Sequence, residues 1–199
     1  MSIWKKIKGL FIPASESEED DDSNDLDFTG FRPKEPIDVT FTKNFIANNG
    51  AFFYCENDQE ILKNIKEIAE NEQQTEFICF DEKLQSLLSR AGVRFTTKIN
   101  EPSDFVFIEC EYLNAYDGSI MLSSHQMKGQ KLDSLPKNII VYSTPKQLVT
   151  NLNEAMQRLN SEKGGNFPSI TSIRGKGANS TYSTDLSKKI YLLLVEKHK

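Results

Sequence analysis

From residue 50 onward the chain alternates short, wholly apolar runs with stretches whose apolar residues recur at helical spacing. Residues 50–55 (GAFFYC) read as a buried strand, and Asn57 with Glu60 three positions later is a helix-capping signal. Ile61, Leu62, Ile65, Ile68 and Ala69 then mark one face of a helix. Residues 76–80 (EFICF) predict a second strand, and Asp81 caps a short helix carrying Leu84, Leu87 and Leu88 that stops at Gly92. Residues 93–97, 104–108 (DFVFI), 119–123 (SIMLS) and 138–143 (NIIVYS) have strand length and character. Thr144-Pro145-Lys146-Gln147 reads as a capping box with proline at the first helical position. It predicts a helix with Leu148, Val149, Leu152, Ala155, Met156 and Leu159 on its inner face, ending before Gly164-Gly165. Residues 169–173 and 190–196 (IYLLLVE) supply the last strands.

Strands that are apolar along their whole length, alternating with helices, predict an α/β fold: a mostly parallel sheet flanked by helices on both faces. In such sheets ligands sit at the carboxyl ends of strands, so chemistry is sought in the loops that follow them.

Residues 1–37 have a different texture. Trp4, Ile7 and Phe11 fall at helical spacing among lysines, followed by an acidic run from Glu16 to Asp27 and then by Pro33 and Pro36. This reads as an amphipathic arm and acidic flexible linker, a tether or a docking element for a partner or a membrane surface, with the folded domain over residues 38–199. The tether is the simpler reading, because so short a helix is marginal in water.

The formal charge of −5 is carried entirely by the first 27 residues. The rest of the chain is neutral through cancellation: residues 28–117 carry 9 basic and 16 acidic side chains, and residues 118–199 carry 12 and 5. A neutral body excludes a globally basic nucleic-acid binder. If the two halves pack side by side, the domain is strongly dipolar. Mean hydropathy of −0.50 and 38% hydrophobic content argue against a membrane span. Three cysteines at long spacings, Cys55, Cys79 and Cys110, suggest neither a disulfide framework nor a metal site, and so a reducing, cytoplasmic location. Lysines interrupt the start of the chain, where a secretory signal would need a continuous apolar run.

With only His125 and His198, and no G-x-S-x-G elbow, a serine–histidine triad or a histidine metal site has little to build on. No phosphate-binding glycine motif is complete: Gly175-Lys176-Gly177 lacks its third glycine. One region is richer in polar groups than a connection requires. Glu109 and Glu111 follow a strand and would point the same way if the extended geometry continued. Asp117-Gly118-Ser119 comes next, then Ser123, Ser124, Gln126, Gly129 and Lys131. Glu109, Glu111, Asp117 and Ser119 are the candidate acid–base groups. Gly118, Ser123, Ser124, Gln126, Gly129 and Lys131, together with Ser172, Arg174 and Gly175, are the candidate ligand-binding residues. Arg174, Lys176, Lys128 and Lys131 could meet an anionic ligand. The plainer alternative is solvated loop carboxylates, an ordinary hairpin turn and internal charge balance.

The order of these segments also resembles a known family. The string from Cys110 to Ser124, Gly129-Gln130-Lys131-Leu132, Leu135-Pro136, residues 138–141, Gln147-Leu148-Val149 and residues 168–173 (PSITSI) together resemble the LUD-domain family, the lactate-utilisation protein C-like proteins. The likeness runs over roughly residues 44–175. It implies a fold of the kind shared by isomerases, CoA transferases and formyltetrahydrofolate cyclo-ligase, and a bacterial, accessory or small-anion-binding role in lactate oxidation. Partner subunits would carry the iron–sulfur clusters, with no cofactor in this chain. Two departures stand out. The family's usual A-E-T-G-T stretch corresponds to Ala115-Tyr116-Asp117-Gly118-Ser119, so Tyr116 stands where many members have glutamate, and tyrosine cannot form the acyl anhydride that such a glutamate forms in CoA transferases. The family's late histidine loop is also missing after Arg174. The alternatives are an enzyme of the same fold acting on an acyl-CoA, sugar phosphate or folate, and a degenerate non-catalytic homologue.

Overall fold

The computed structural model describes residues 35–99, 103–164, 168–175 and 188–196. The arm, most of the linker and Lys176 lie outside the described residues. Among the described residues, four α-helices and ten strands follow in order: α1 (Ile37–Ala47), β1 (Ala51–Cys55), α2 (Asp58–Asn71), β2 (Glu76–Cys79), α3 (Glu82–Arg90), β3 (Arg94–Thr96), β4 (Phe105–Glu109), β5 (Tyr112–Asn114), β6 (Ser119–Ser123), β7 (Asn138–Ser143), β8 (Leu148–Val149), α4 (Leu152–Lys163), β9 (Ile170–Ile173) and β10 (Lys189–Val195).

Six strands form an all-parallel sheet in the order β1-β10-β7-β4-β2-β3. Side chains alternate across it, as strand geometry requires. Phe105 and Phe107 of β4, with Ile140 and Tyr142 of β7, face one side, where Ile61, Ile65 and Ile68 of α2 and Leu84, Leu87 and Leu88 of α3 cover them. Val106, Ile108, Ile139 and Val141 face the other side, against Phe41 and Phe45 of α1 and Leu113, Ile120 and Leu122 of a second sheet. This second sheet is mixed, in the order β8-β5-β6-β9, and α4 packs Ala155 and Leu159 on its outer face against Tyr112, Met121 and Val149. The protein is thus an α/β fold with a mostly parallel main sheet. The helices do not flank it alone: on one side a small sheet stands between the main sheet and α4.

The caps act as their chemistry dictates. The Asn57 side chain accepts the Glu60 N–H, and the Asp81 side chain accepts the Leu84 N–H. The expected helix from Thr144 is corrected. Gln147 does reach back to the Thr144 N–H at 2.7 Å, but the box closes only one tight turn, Pro145–Gln147. The same Gln147 amide donates to the Cys110 carbonyl, and Leu148 and Val149 pair with Leu113 and Asn114 of β5. Pairing with a neighbouring strand captures residues whose local pattern reads as helix, and the helix restarts at Leu152, capped by Asn151. Gly164 ends it in the left-handed conformation.

The halves of opposite charge do not lie side by side. Strands β7 and β10 from the second half sit between β1 and β4 from the first. The pairs Lys189–Glu72 and Arg174–Asp117 join the two halves directly.

Candidate functional site

The predicted site residues fall into three places. The first is the carboxyl edge of the main sheet. β2 hands the chain to α3 on one face and β4 hands it to the second sheet on the other, so the chain parts between their carboxyl ends, the position where open α/β sheets bind ligands. Glu109 ends β4 there and accepts from Lys83 of α3 at 2.6 Å, and the Lys83 ammonium also lies 4.2 Å from the centre of the Tyr142 ring. Burial disfavours the Lys83 charge, but the bond to Glu109 and the nearby Tyr142 and Asp81 outweigh it and raise its pKa. Burial likewise raises Tyr142. Glu111 does not continue the strand. The extended run breaks at Cys110, and the Glu111 N–H already donates to Met121 of the second sheet. Lys83 and Tyr142 escape a sequence reading because one sits in the first turn of an ordinary helix and the other in an apolar strand.

The second place is the turn from Asn114 to Ser119, which joins β5 to β6. Asp117 Oδ1 accepts from the Ser119 N–H at 3.0 Å and from the Ser119 hydroxyl at 2.6 Å, while Oδ2 accepts from Arg174, which follows β9. Asn114 Oδ1 takes the Tyr116 N–H at 3.2 Å, and its amide nitrogen lies 3.5 Å from Ser119 Oγ. Ser119 is 1% exposed, so its hydroxyl belongs to the interior. The side chain of Arg174 is 47% exposed. β6 and β9 pair antiparallel from Ile120 with Ile173 to Ser123 with Ile170, and this register places Arg174 beside the turn. Gly118 has φ +65, and Gly175 lies directly against Asn48. A methyl group at either position would overlap backbone atoms, of Asn44 and Phe45 at Gly118 and of Asn48 at Gly175. Sequence reasoning picked out Asp117, Gly118, Ser119, Arg174 and Gly175 separately, and the structure brings them together.

The third place is the other end of β6. Four residue steps of about 3.4 Å put Ser123 roughly 13 Å from Ser119. The Ser123 N–H donates to Gln126 Oε1 at 2.8 Å, the Gln126 N–H lies 3.4 Å from Ser123 Oγ, and the Gly129 N–H closes onto the Ser124 carbonyl at 2.7 Å. Gly129 has φ +74. Lys131 and Lys128 are exposed beside this turn, and Ser172 is exposed on β9 opposite Met121. The candidate residues therefore do not form one site: the Ser123–Lys131 group closes its own turn, apart from Asp117.

Asn44 and Asn48 belong to the second place and were missed. Asn44 lies in α1 and the buried Asn48 caps its C-terminus; α1 has no capping side chain at its start and buries only Phe41, Thr42 and Phe45 within the helix, which hides it from a periodicity argument. The one available signal is Phe41 and Phe45 at a spacing of four, whose rings stack 5.6 Å apart.

All three cysteines are buried. Burial raises the Cys79 thiol to about 12, and burial together with the Glu109 and Glu111 charges raises Cys110 further. Among the described residues no group of histidine, cysteine and carboxylate side chains is placed to hold a metal ion, and no helix is long and apolar enough to cross a membrane.

The protein is thus an α/β protein with a parallel main sheet, a small mixed sheet on one face and a polar turn joining two strands of the small sheet. The LUD-domain family model matches residues 71–195, and the chain belongs to the LUD-domain family. Its fold is similar to that of a DUF162-family protein from Deinococcus radiodurans, with a TM-score of 0.60 and 15% identity over 80% of this chain and 96% of that one. No curated protein matches the sequence.

Proposed function

We propose that the chain is an accessory, small-anion-binding subunit of an iron–sulfur L-lactate oxidation system, with its anion site at the Asp117–Arg174 turn. The observation that carries this reading is the way Arg174 is held. Asp117 engages one end of its guanidinium and is itself fixed by two bonds from Ser119, yet nearly half of the Arg174 side chain stays open to solvent. A guanidinium has five N–H donors in a fixed fork, so one anchored at one end keeps donors of matching geometry for a carboxylate or phosphate. Membership of the LUD-domain family supports the lactate setting. The redox centres are assigned to the partner subunits.

An enzymatic reading has one observation in its favour, the 2.6 Å bond from the Ser119 hydroxyl to Asp117, which resembles a nucleophile with its base. The burial of Ser119 and the engagement of Asp117 by Arg174 favour the binding role. Gentle purification of the full chain from its native cell tests the proposal. The expected result is recovery with iron–sulfur oxidoreductase subunits, and recovery without any such partner contradicts it.

A further inference from the structure

α1 precedes the residues that match the family, yet it is built into the Asp117 turn. Asn44 Nδ2 donates to the carbonyl oxygens of Ala115 at 2.8 Å and of Tyr116 at 3.1 Å, and Asn48 Nδ2 donates to that of Asp117 at 2.7 Å. Two amides four residues apart thus take three successive carbonyls of one turn. Residues at that spacing lie on one face of a helix, so a single docking event sets all three bonds. The close approach is reciprocal: Gly118 lies on the backbone of Asn44 and Phe45, and Gly175, next to Arg174, lies on the backbone of Asn48. The helix end therefore touches both strands of chain that supply the ion pair.

The consequence is directional. A peptide unit is planar and trans, so fixing a carbonyl aims the following N–H the opposite way. With the carbonyl of residue 117 drawn onto Asn48, the Gly118 N–H points away from α1, and the Asp117 side chain is set relative to its own backbone. Other side chains of similar size cannot replace this: leucine has the bulk of asparagine and no donor, and would leave the carbonyls facing a helix that cannot bond them.

We infer that Asn44 and Asn48 are positioning residues of the Asp117–Arg174 site, holding the turn in the geometry that presents Arg174 to a small carboxylate or phosphate anion. The inference rests on the anion-binding reading for the identity of the ligand, but not for the positioning itself.

The test uses the full chain with Asn44→Leu and Asn48→Leu, read by the backbone amide resonance of Ser119, which donates to Asp117, and by calorimetric titration with L-lactate and with inorganic phosphate. The expected result is a displaced Ser119 resonance and an affinity for the bound anion weakened about tenfold or more, the scale of losing one or two such bonds. Leucine variants that melt earlier but keep the Ser119 resonance and the anion affinity of the parent would show that the asparagines only hold the helix, and would overturn the inference. If the parent binds neither anion, the anion reading fails by itself and the Ser119 resonance alone decides the positioning. Should the leucine variants fail to fold, Asn44→Gln and Asn48→Gln displace each donor by one methylene. An unchanged Ser119 resonance and affinity in both then also overturns the inference.

Discussion

The Asp117 carboxylate takes three bonds from two residues, and their worth differs with burial. The two from Ser119 are inside the protein, and the one from Arg174 is at its surface. Substitution Asp117→Ala leaves the buried Ser119 hydroxyl without its acceptor, which costs about 2–3 kcal/mol. Arg174→Ala removes an exposed partner and costs about 1 kcal/mol or less. Urea unfolding of the two variants should therefore rank them in that order, and equal losses would contradict the assignment of Ser119 to the interior. Glu72 is the clearest titrating contributor. Bonds from Lys189 at 2.5 Å and Tyr191 at 2.6 Å hold its carboxyl below the ordinary value of 4.5. The unfolded chain then binds this proton more readily than the folded one, so the stabilisation is complete above pH 4.5 and is lost as pH falls through the lower folded value. Glu72→Gln should lower stability by about 1 kcal/mol at neutral pH and flatten the acid side of the stability profile. A mutant whose acid side is as steep as the parent's would remove Glu72 from that role. The thiols give a third reading at this scale. Buried, with Cys79 raised to about 12 and Cys110 raised as well, Cys79 and Cys110 should resist a disulfide reagent at pH 8 until denaturant is added.

The elements that a sequence discloses are those whose stability is local. The caps at Asn57 and Asp81 and the apolar faces of α2 and α3 were legible because bonding partners lie within four residues. The central strands of the main sheet, β4, β7 and β10, were legible because burial on both faces makes them almost continuously apolar. Of the second sheet, β6 and β9 were legible as apolar runs of strand length, but β5 and β8 were not. β5 has three residues and β8 two, and each is stabilised by a partner far away in the chain, Leu113 of β5 pairing with Leu148 of β8. The same non-local pairing turned the expected start of the last helix into a strand. α1 was illegible for a related reason: its polar side chains at Asn44 and Asn48 look solvent-facing in sequence, while in the fold they bond the turn at Ala115 to Asp117. Gly118→Ala and Gly175→Ala test this contact. Gly118→Ala forces a methyl group into α1 backbone and Gly175→Ala forces one into the backbone of Asn48, just after α1, and Gly118 adds the strain of a positive φ. Each should cost more than about 1 kcal/mol and lower the melting temperature. Gly129→Ala, at a similar φ but with open space around it, should cost only the conformational part.

At the scale of the molecule, the two halves of the chain that differ in charge are interleaved in the main sheet. β10 and β7 carry the basic half into the middle of the main sheet, and the Lys189–Glu72 and Arg174–Asp117 pairs stitch it to the acidic half. A strongly dipolar domain was expected from the sequence alone, because sequence order says nothing of strand order. The acidic run of residues 16–27 lies outside the described residues, and its reading as a tether for a partner rests on composition. Removing residues 1–30 should leave the melting temperature of the domain unchanged and weaken recovery with partner subunits. An unchanged yield of partners would end the tether reading. The candidate site was half legible: Asp117, Ser119 and Arg174 could be named as candidates from the sequence, but not that they meet, nor that Ser123 to Lys131 lie apart from them.

Calorimetric titration of the full chain and of Arg174→Ala with L-lactate tests the central claim most directly. The expected result is saturable binding to the parent chain and a loss of about tenfold or more in the variant, in keeping with removal of a charge-assisted bond to the ligand. Binding of equal strength to both proteins, or none to the parent, would contradict it.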